Sequence, residues 1–396
     1  MRNRTVYIRI LVCFLVGSLS GITAAAEKSW QSTAYSMAAG QIGLSNFYLV
    51  GDDVSWRRSD DGRFASFKDM EAPAEAADWW VKTFYRSDVF PNYGDASLSQ
   101  DYSVTQIGYE SPHVIPRWGG KLYEGAFYTM STSNAYVNAY TVGDVPYGGA
   151  SSTMTAYGGA FYASWVGSGG KHVEGVIRLS NVQNSVSYTD AQDNSLLFHY
   201  RTWITALGIR WYDTRFAAKN FFWEPQIGFS IGYIKPNNIS GGGVSYSPAD
   251  RLVAAGRIGI MAGKTYRLGS RIGLAYGRVD VQQELGGPVE GTGREESSGE
   301  TVSVRMGQKN ATWYDVTIGT SVALGNGKNN VVWGELTRRL GSNMKQTWNL
   351  TGGLIVRWGG AGRQEREEFE RLKKDRHSLS FDQPKSKFQS SSQQRN

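Results

Sequence analysis

Four histidines, His113, His172, His199 and His377, are the side chains best suited to acid–base or metal chemistry in this 396-residue chain. None stands at the H-x-x-x-H or H-x-H spacing of a ligand pair. His172 shares a strand face with Glu174, as alternate residues of any strand do, and His199 has no evident partner in sequence. No G-x-S-x-G elbow, phosphate-binding loop or dinucleotide fingerprint occurs. The single cysteine, Cys13, falls in a segment read as removable, and Val12 precedes it where a lipid-anchoring site needs a small residue. Disulfide frameworks, thiolate metal sites and cysteine nucleophiles are thereby excluded from the mature chain. The chain reads as a non-enzyme with no metal and no cofactor. A hydrolase built on His172 or His199 is the weakest reading left open.

The compartment is set by the first residues. Arg2, Arg4 and Arg9 precede the apolar run Ile10–Val16, and Ala24-Ala25-Ala26 supplies small residues before Glu27 and Lys28. That order reads as a secretory signal peptide over 1–26, too short in its apolar run to span a bilayer. The formal net charge is +7, but three of those charges belong to the leader and much of the rest to the tail. No dense basic face remains, so nucleic acid is not expected as a partner. Mean hydropathy is negative, yet Gly 48, Trp 13 and Tyr 22 combine abundant glycine with amphipathic aromatics. Transmembrane barrels carry this bias, and so do secreted β-helices and sandwiches.

The elements decide between them. From Trp79 onward, segments alternate apolar and polar with period two. Trp223, Pro225, Ile227, Phe229, Ile231 and Tyr233 form one face, with Glu224, Gln226, Gly228, Ser230 and Gly232 opposite. Trp348, Leu350, Leu354, Val356 and Trp358 repeat the pattern, as do Leu252, Ala254, Ile258 and Ile260 against Arg251 and Arg257. About twelve strands are expected, near 79–86, 102–110, 121–130, 153–166, 171–182, 199–212, 221–234, 251–263, 270–281, 312–324, 331–340 and 347–358. Roughly ten residues suit a tilted strand crossing a membrane, where sandwich strands average about 5–6.

Connections between these strands read as roughly fifteen, ten, twenty-two, four, sixteen, eight, sixteen, six, thirty, six and six residues, the long–short alternation of a transmembrane barrel. Ser131–Ser152, Lys235–Asp250 and Leu285–Ala311 are the expected solvated loops, with Thr301–Met306 extending a strand beyond the membrane. Both termini are then expected in the periplasm. Glu174, Arg178, Glu224, Gln226 and Arg257 are expected to face the lumen, because such groups are expensive in lipid. The fold class is an all-β transmembrane antiparallel barrel with a short N-terminal helical segment.

With that frame in place, the sequence resembles the autotransporter β-domain family over about 30–358. Asp78-Trp79-Trp80-Val81-Lys82 resembles the family's first strand, and Thr105–Glu110, Gly125–Tyr128 and Tyr157–Phe161 the next three. Trp223-Glu224-Pro225-Gln226 and Gly256-Arg257-Ile258-Gly259 resemble two later strands. Thr351, Gly353, Val356 and Trp358 fit the terminal-strand pattern by which the barrel assembly machinery recognises its clients. The resemblance implies translocation or surface display in the Gram-negative outer membrane, with that machinery and the Sec translocon as biogenesis partners and outer-membrane lipid as surroundings. A monomer is expected.

Upstream, 27–78 is too short for a repeat-built passenger. It reads as a pore-filling segment: a short helix over Ser36–Leu49, then basic Arg57, Arg58 and Arg63 set to pair with lumen carboxylates such as Glu124, Glu174 or Glu224. A solvated linker is the equal alternative there. From Gly359 to Asn396 the chain is a charged, polar, periplasmic tail. A passive pore or structural outer-membrane protein, and an adhesin acting through its loops, are the rival functions.

Overall fold

The computed structural model describes residues 30–49, 78–93, 96–115, 120–138, 140–142, 145–147, 149–167, 170–189, 195–218, 220–269, 271–307, 310–324, 330–341 and 344–357. Residues 1–29, Arg57, Arg58, Arg63, Trp358 and residues 359–396 lie outside them.

Among the described residues, twelve long strands form a closed antiparallel barrel. They are β1 (Asp78–Tyr93), β2 (Ala96–Ile115), β3 (Gly120–Val137), β4 (Ala150–Gly167), β5 (Lys171–Thr189) and β6 (Ser195–Asp213). The second half is β7 (Phe221–Pro236), β8 (Arg251–Leu268), β9 (Arg271–Gly286), β10 (Asn310–Leu324), β11 (Asn330–Gly341) and β12 (Met344–Arg357). Each strand pairs with its chain neighbours, and β12 returns to β1 from Asp78↔Arg357 to Arg86↔Asn349. Closure joins the two ends of the sheet, so along this seam the ladder groups of 78–86 pair without water.

The wall is apolar outside and polar inside in the part of each strand that carries the exposed hydrophobic residues. Phe161 is 72% exposed and Ile258 65%, whereas Glu224 is 0% exposed. This reverses the burial order of a water-soluble protein, as a hydrocarbon surrounding requires.

Strands run longer than the period-two signal. β1 and β2 join across residues 94–95, not across a loop of roughly fifteen residues as the apolar pattern suggests. Likewise, Ser131–Ser152 is mostly strand: β3 runs to Val137 and β4 starts at Ala150. The physical reason is that backbone groups keep pairing past the membrane boundary, while the apolar-outward pattern that marks a membrane strand ends there. Long connections survive at one rim only, over 138–149, 237–250 and 287–309. Asp78 and Arg357 lie together at the other.

Thr301–Met306 does not extend a barrel strand. It pairs with Val289–Glu295, which pairs with Val244–Pro248, which pairs with Ile239–Gly241. Two long connections thus build one four-stranded loop sheet. Its tightest turn, between Gly241 and Val244, uses Gly242 and Gly243 at φ 58° and 72°, a pair of left-handed positions that other residues rarely adopt.

Candidate functional site: the occupied lumen

Residues 30–39 are α-helical and Ile42–Leu49 form a 3₁₀ helix, separated by a turn at Gly40 and Gln41. The helix therefore lies earlier than Ser36–Leu49 and breaks where the sequence places glycine. Ala34, Tyr35, Met37, Ala38, Ala39, Ile42, Leu44 and Phe47 are all buried. Ser32, Thr33 and Ser36 are buried as well, so the helix is enclosed on every side, polar face included. Here the barrel encloses it.

The wall supplies a fitted seat. A Cβ on Gly40 would lie 2.5 Å and 2.7 Å from the two Val186 methyls, so glycine is what allows the turn to touch β5. Ser32 Oγ and Tyr188 Oη are 2.6 Å apart near the long-loop rim. Deeper in, Arg178 Nη2 donates to the Phe47 carbonyl at 2.9 Å. The segment thus runs from the loop rim inward, towards the rim where β1 begins.

Backbone carbonyls at and just after the helix end find donors on the wall, and Gln41 O accepts the Leu44 N–H at 3.1 Å besides. Tyr200 Oη donates to Gly40 O at 3.2 Å, and Arg251 Nη2 to Gln41 O at 3.2 Å. Gln100 Nε2 donates to Gly43 O at 3.2 Å and its carbonyl oxygen accepts from Asn46 Nδ2 at 2.6 Å. A cationic donor such as Arg251 beyond a helix C-terminus also opposes the helix dipole.

The loop sheet closes over this seat. Val244, Tyr246, Val289, Val304 and Met306 share one apolar core with Ala34, Met37 and Ala38. A Cβ on Gly293 would fall 2.5 Å from the Ala34 methyl. Tyr246 is buried, and loss of solvent pushes its phenol above the usual range.

The inward face of the wall also carries charged pairs. Arg339 grips Asp315 through two 2.7 Å hydrogen bonds and reaches Asp88 at 3.9 Å. Asp280 is held by Arg278 at 2.8 Å and Arg257 at 3.5 Å, and Arg278 also meets Glu335 at 3.5 Å. Glu174, Arg178, Glu224 and Gln226 are buried on the inward face. Gln226 Nε2 donates to Glu224 at 2.8 Å, and Arg257 Nη2 to Gln226 at 3.2 Å. Glu124 differs: it is exposed, on the outward face of β3, and so is not a lumen partner for the basic segment.

Among the described residues, His172 and His199 are not brought together. His172 is buried in the lumen, bonded to Ser164 at 2.6 Å and packed at a tilt against Tyr212, whereas His199 lies outside, bonded to Ser185 at 2.9 Å. Among the described residues, no three His, Cys, Asp or Glu side chains are placed to hold a metal.

In the last strand, Thr351 is buried inward. Gly353 lies opposite Trp333, where a Cβ would meet the indole at 2.6 Å. Gly108 seats Trp80 in the same way, at 2.3 Å. Val356 pairs with Trp79 across the β12–β1 seam.

Sequence reasoning missed Arg251 as a donor to the segment, and missed Tyr188, Tyr200 and Gln100 altogether. A signal exists. Along β5 the inward residues change from His172, Glu174 and Arg178 to Val182, Val186 and Tyr188, while the outward ones change from Val173, Ile177 and Leu179 to Gln183, Ser185 and Ser187. That inversion marks where the wall leaves lipid and begins to pack on its own plug.

Comparison with known proteins gives a family match and structural likenesses. The model of the autotransporter beta-domain matches residues 79–329. The fold is similar to the β-domain of the Bordetella autotransporter BrkA, at 18% identity and TM-score 0.55, covering 72% of this chain and 100% of that one. It is similar to the translocator domain of NalP from Neisseria meningitidis, at 12% identity and TM-score 0.54, covering 79% and 99%. The transport unit of AIDA-I from Escherichia coli gives 13% identity and TM-score 0.52, covering 78% and 98%. The comparison with curated protein sequences gives no match.

Proposed function

The chain belongs to the autotransporter β-domain family, and from that premise we propose that it serves translocation and surface display. It is an outer-membrane barrel of a family assembled by the barrel assembly machinery and generally without enzymatic activity. The observation that carries the reading is the seated segment. Residues 30–49 fill the lumen on the long-loop side, with Met37, Ala38 and Ile42 at 0% exposure, which is the position of a chain that entered the pore and stayed there. In this reading the rim holding Asp78 and Arg357 faces the periplasm, the long loops face outward, and the barrel works as a monomer. Thr351, Gly353, Val356 and Trp358 act as the assembly strand, and Glu174, Arg178, Glu224, Gln226 and Arg257 line the polar part of the pore.

Conductance in planar bilayers tests this. The full chain is expected to pass little current and the chain lacking 27–78 to give large, steady openings. Equal currents from both would refute the plugged translocator. The exposed face of the loop sheet, with Glu290, Thr292 and Arg305, favours display of these loops as a second role. Replacing 287–309 and scoring attachment of cells tests that role.

A further inference from the structure

Two cations stand on the outward face of the wall where its apolar band ends towards the long-loop rim. Up β6 and β7 the outward cross-strand pairs run Ile209↔Phe229, Leu207↔Ile231, Thr205↔Tyr233 and Trp203↔Lys235. Arg201 is the next outward residue of β6, opposite Gln183 of β5. Trp203 and Tyr233 are exposed, as are Ile209, Phe229 and Leu207 beneath them. These two rings close the apolar ladder at the level where tryptophan and tyrosine meet headgroups. Arg201 and Lys235, both exposed, therefore lie at the depth of lipid phosphates.

Neither cation is paired within the chain. Among the described residues, neither side chain is bonded to an acceptor. Asp250, which immediately precedes β8 on the far side of Lys235, instead accepts from the Tyr233 phenol. Lys235 faces Trp203, and Arg201 is two residues further along the same strand. The two cations are thus diagonal neighbours, about 7–8 Å apart at Cα and within reach of each other's long side chains. They are close enough to share one anion, and close enough to repel without it.

We infer that Arg201 and Lys235 clamp the headgroup of one membrane lipid that carries a phosphate monoester. The planar guanidinium fork meets two phosphate oxygens, and the ammonium meets the third as a point charge. Gln183 places an amide donor beside them. A monoester bears about −1.5 to −2 charge at neutral pH, which two cations match, whereas a diester bears a single charge. The acyl chains lie along Leu207, Ile231 and Phe229, so the anion comes from the membrane and not from solution. In the orientation proposed above this lipid belongs to the outer leaflet; the clamp itself rests only on the barrel standing in a membrane.

The full chain, purified in mild detergent and stripped of lipid, is given phosphatidic acid and phosphatidylglycerol with identical acyl chains and examined by native mass spectrometry. One phosphatidic acid, the monoester, should be retained about tenfold over the diester, the low end for a hydrogen bond to a charged group. Arg201→Gln and Lys235→Gln should each remove most of that preference, and either serves should the other fail to assemble. Lys264→Gln, which alters an exposed outward cation at the opposite rim, should leave it unchanged. Equal retention of the two lipids by the unaltered chain overturns the proposal, as does an unchanged preference in either clamp variant or an equal loss in Lys264→Gln. Displacement of the lipid by excess inorganic phosphate overturns it too, since a free anion is then the occupant. None of these outcomes bears on the plugged pore, which conductance tests separately.

Discussion

Replacing Gly40 with alanine adds one methyl group at the tightest contact between the lumenal segment and the wall. The new carbon would lie 2.5 Å and 2.7 Å from the Val186 methyls, where carbon atoms prefer roughly 3.5–4.0 Å. Overpacking of this kind costs about 1–3 kcal/mol. The gain in helix propensity, at most about 1 kcal/mol, offsets part of it, since Gly40 sits in the turn just after the helix. A net loss of about 1–2 kcal/mol raises the ratio of unseated to seated segment by about 5–30-fold. Single-channel recording reads that ratio directly as open against closed time. Val186→Ala removes both clashing methyls, so the double variant should close again although Val186→Ala alone leaves a small void. The coupling between the two changes should be about 1–2 kcal/mol and compensating in sign. Unchanged closure in Gly40→Ala, or effects that simply add in the double variant, would show that this contact does not hold the segment.

Asp315→Asn leaves Arg339 buried without its bidentate partner. It should destabilise the barrel by about 3–5 kcal/mol, read as a lower temperature for the shift in gel mobility on heating; an unchanged shift would refute the network's role. Gly353→Ala forces the Trp333 indole from its seat at a cost of about 1–3 kcal/mol. Slower assembly, relieved by Trp333→Phe, is the expected result. Burial raises the Tyr246 phenol, so its contribution to the loop sheet is complete below the ordinary phenol pKa of about 10 and is lost as pH rises above it. Protease cleavage within 237–309 should therefore increase above that pH, and Tyr246→Phe should suppress the increase. Arg251→Met removes the donor to Gln41 O and should raise open time with no change in heat stability, as the gel shift on heating would report.

What the sequence determined was the wall. Period two along Trp223–Tyr233 and Leu252–Ile260 is a local property of a strand between lipid and lumen, and it needs no knowledge of partners. The count of strands, their antiparallel order and the inward Glu174 and Glu224 follow from it. Glu124 escaped because its neighbours carry no clean alternation: Gly125 and Ala126 are both small, so parity was left to the pairing with Ala163. The loop sheet escaped for a related reason. Its strands, Val244–Pro248 and Val289–Glu295, come from different connections, and no local rule brings two loops side by side. The seat of the lumenal segment was likewise decided in three dimensions. Gly40 reads in sequence as a weak point in a helix, and only closure of the barrel puts Val186 against it. Local alternation is fixed by two environments, whereas the filling of a lumen depends on which residues the closed wall turns to face one another.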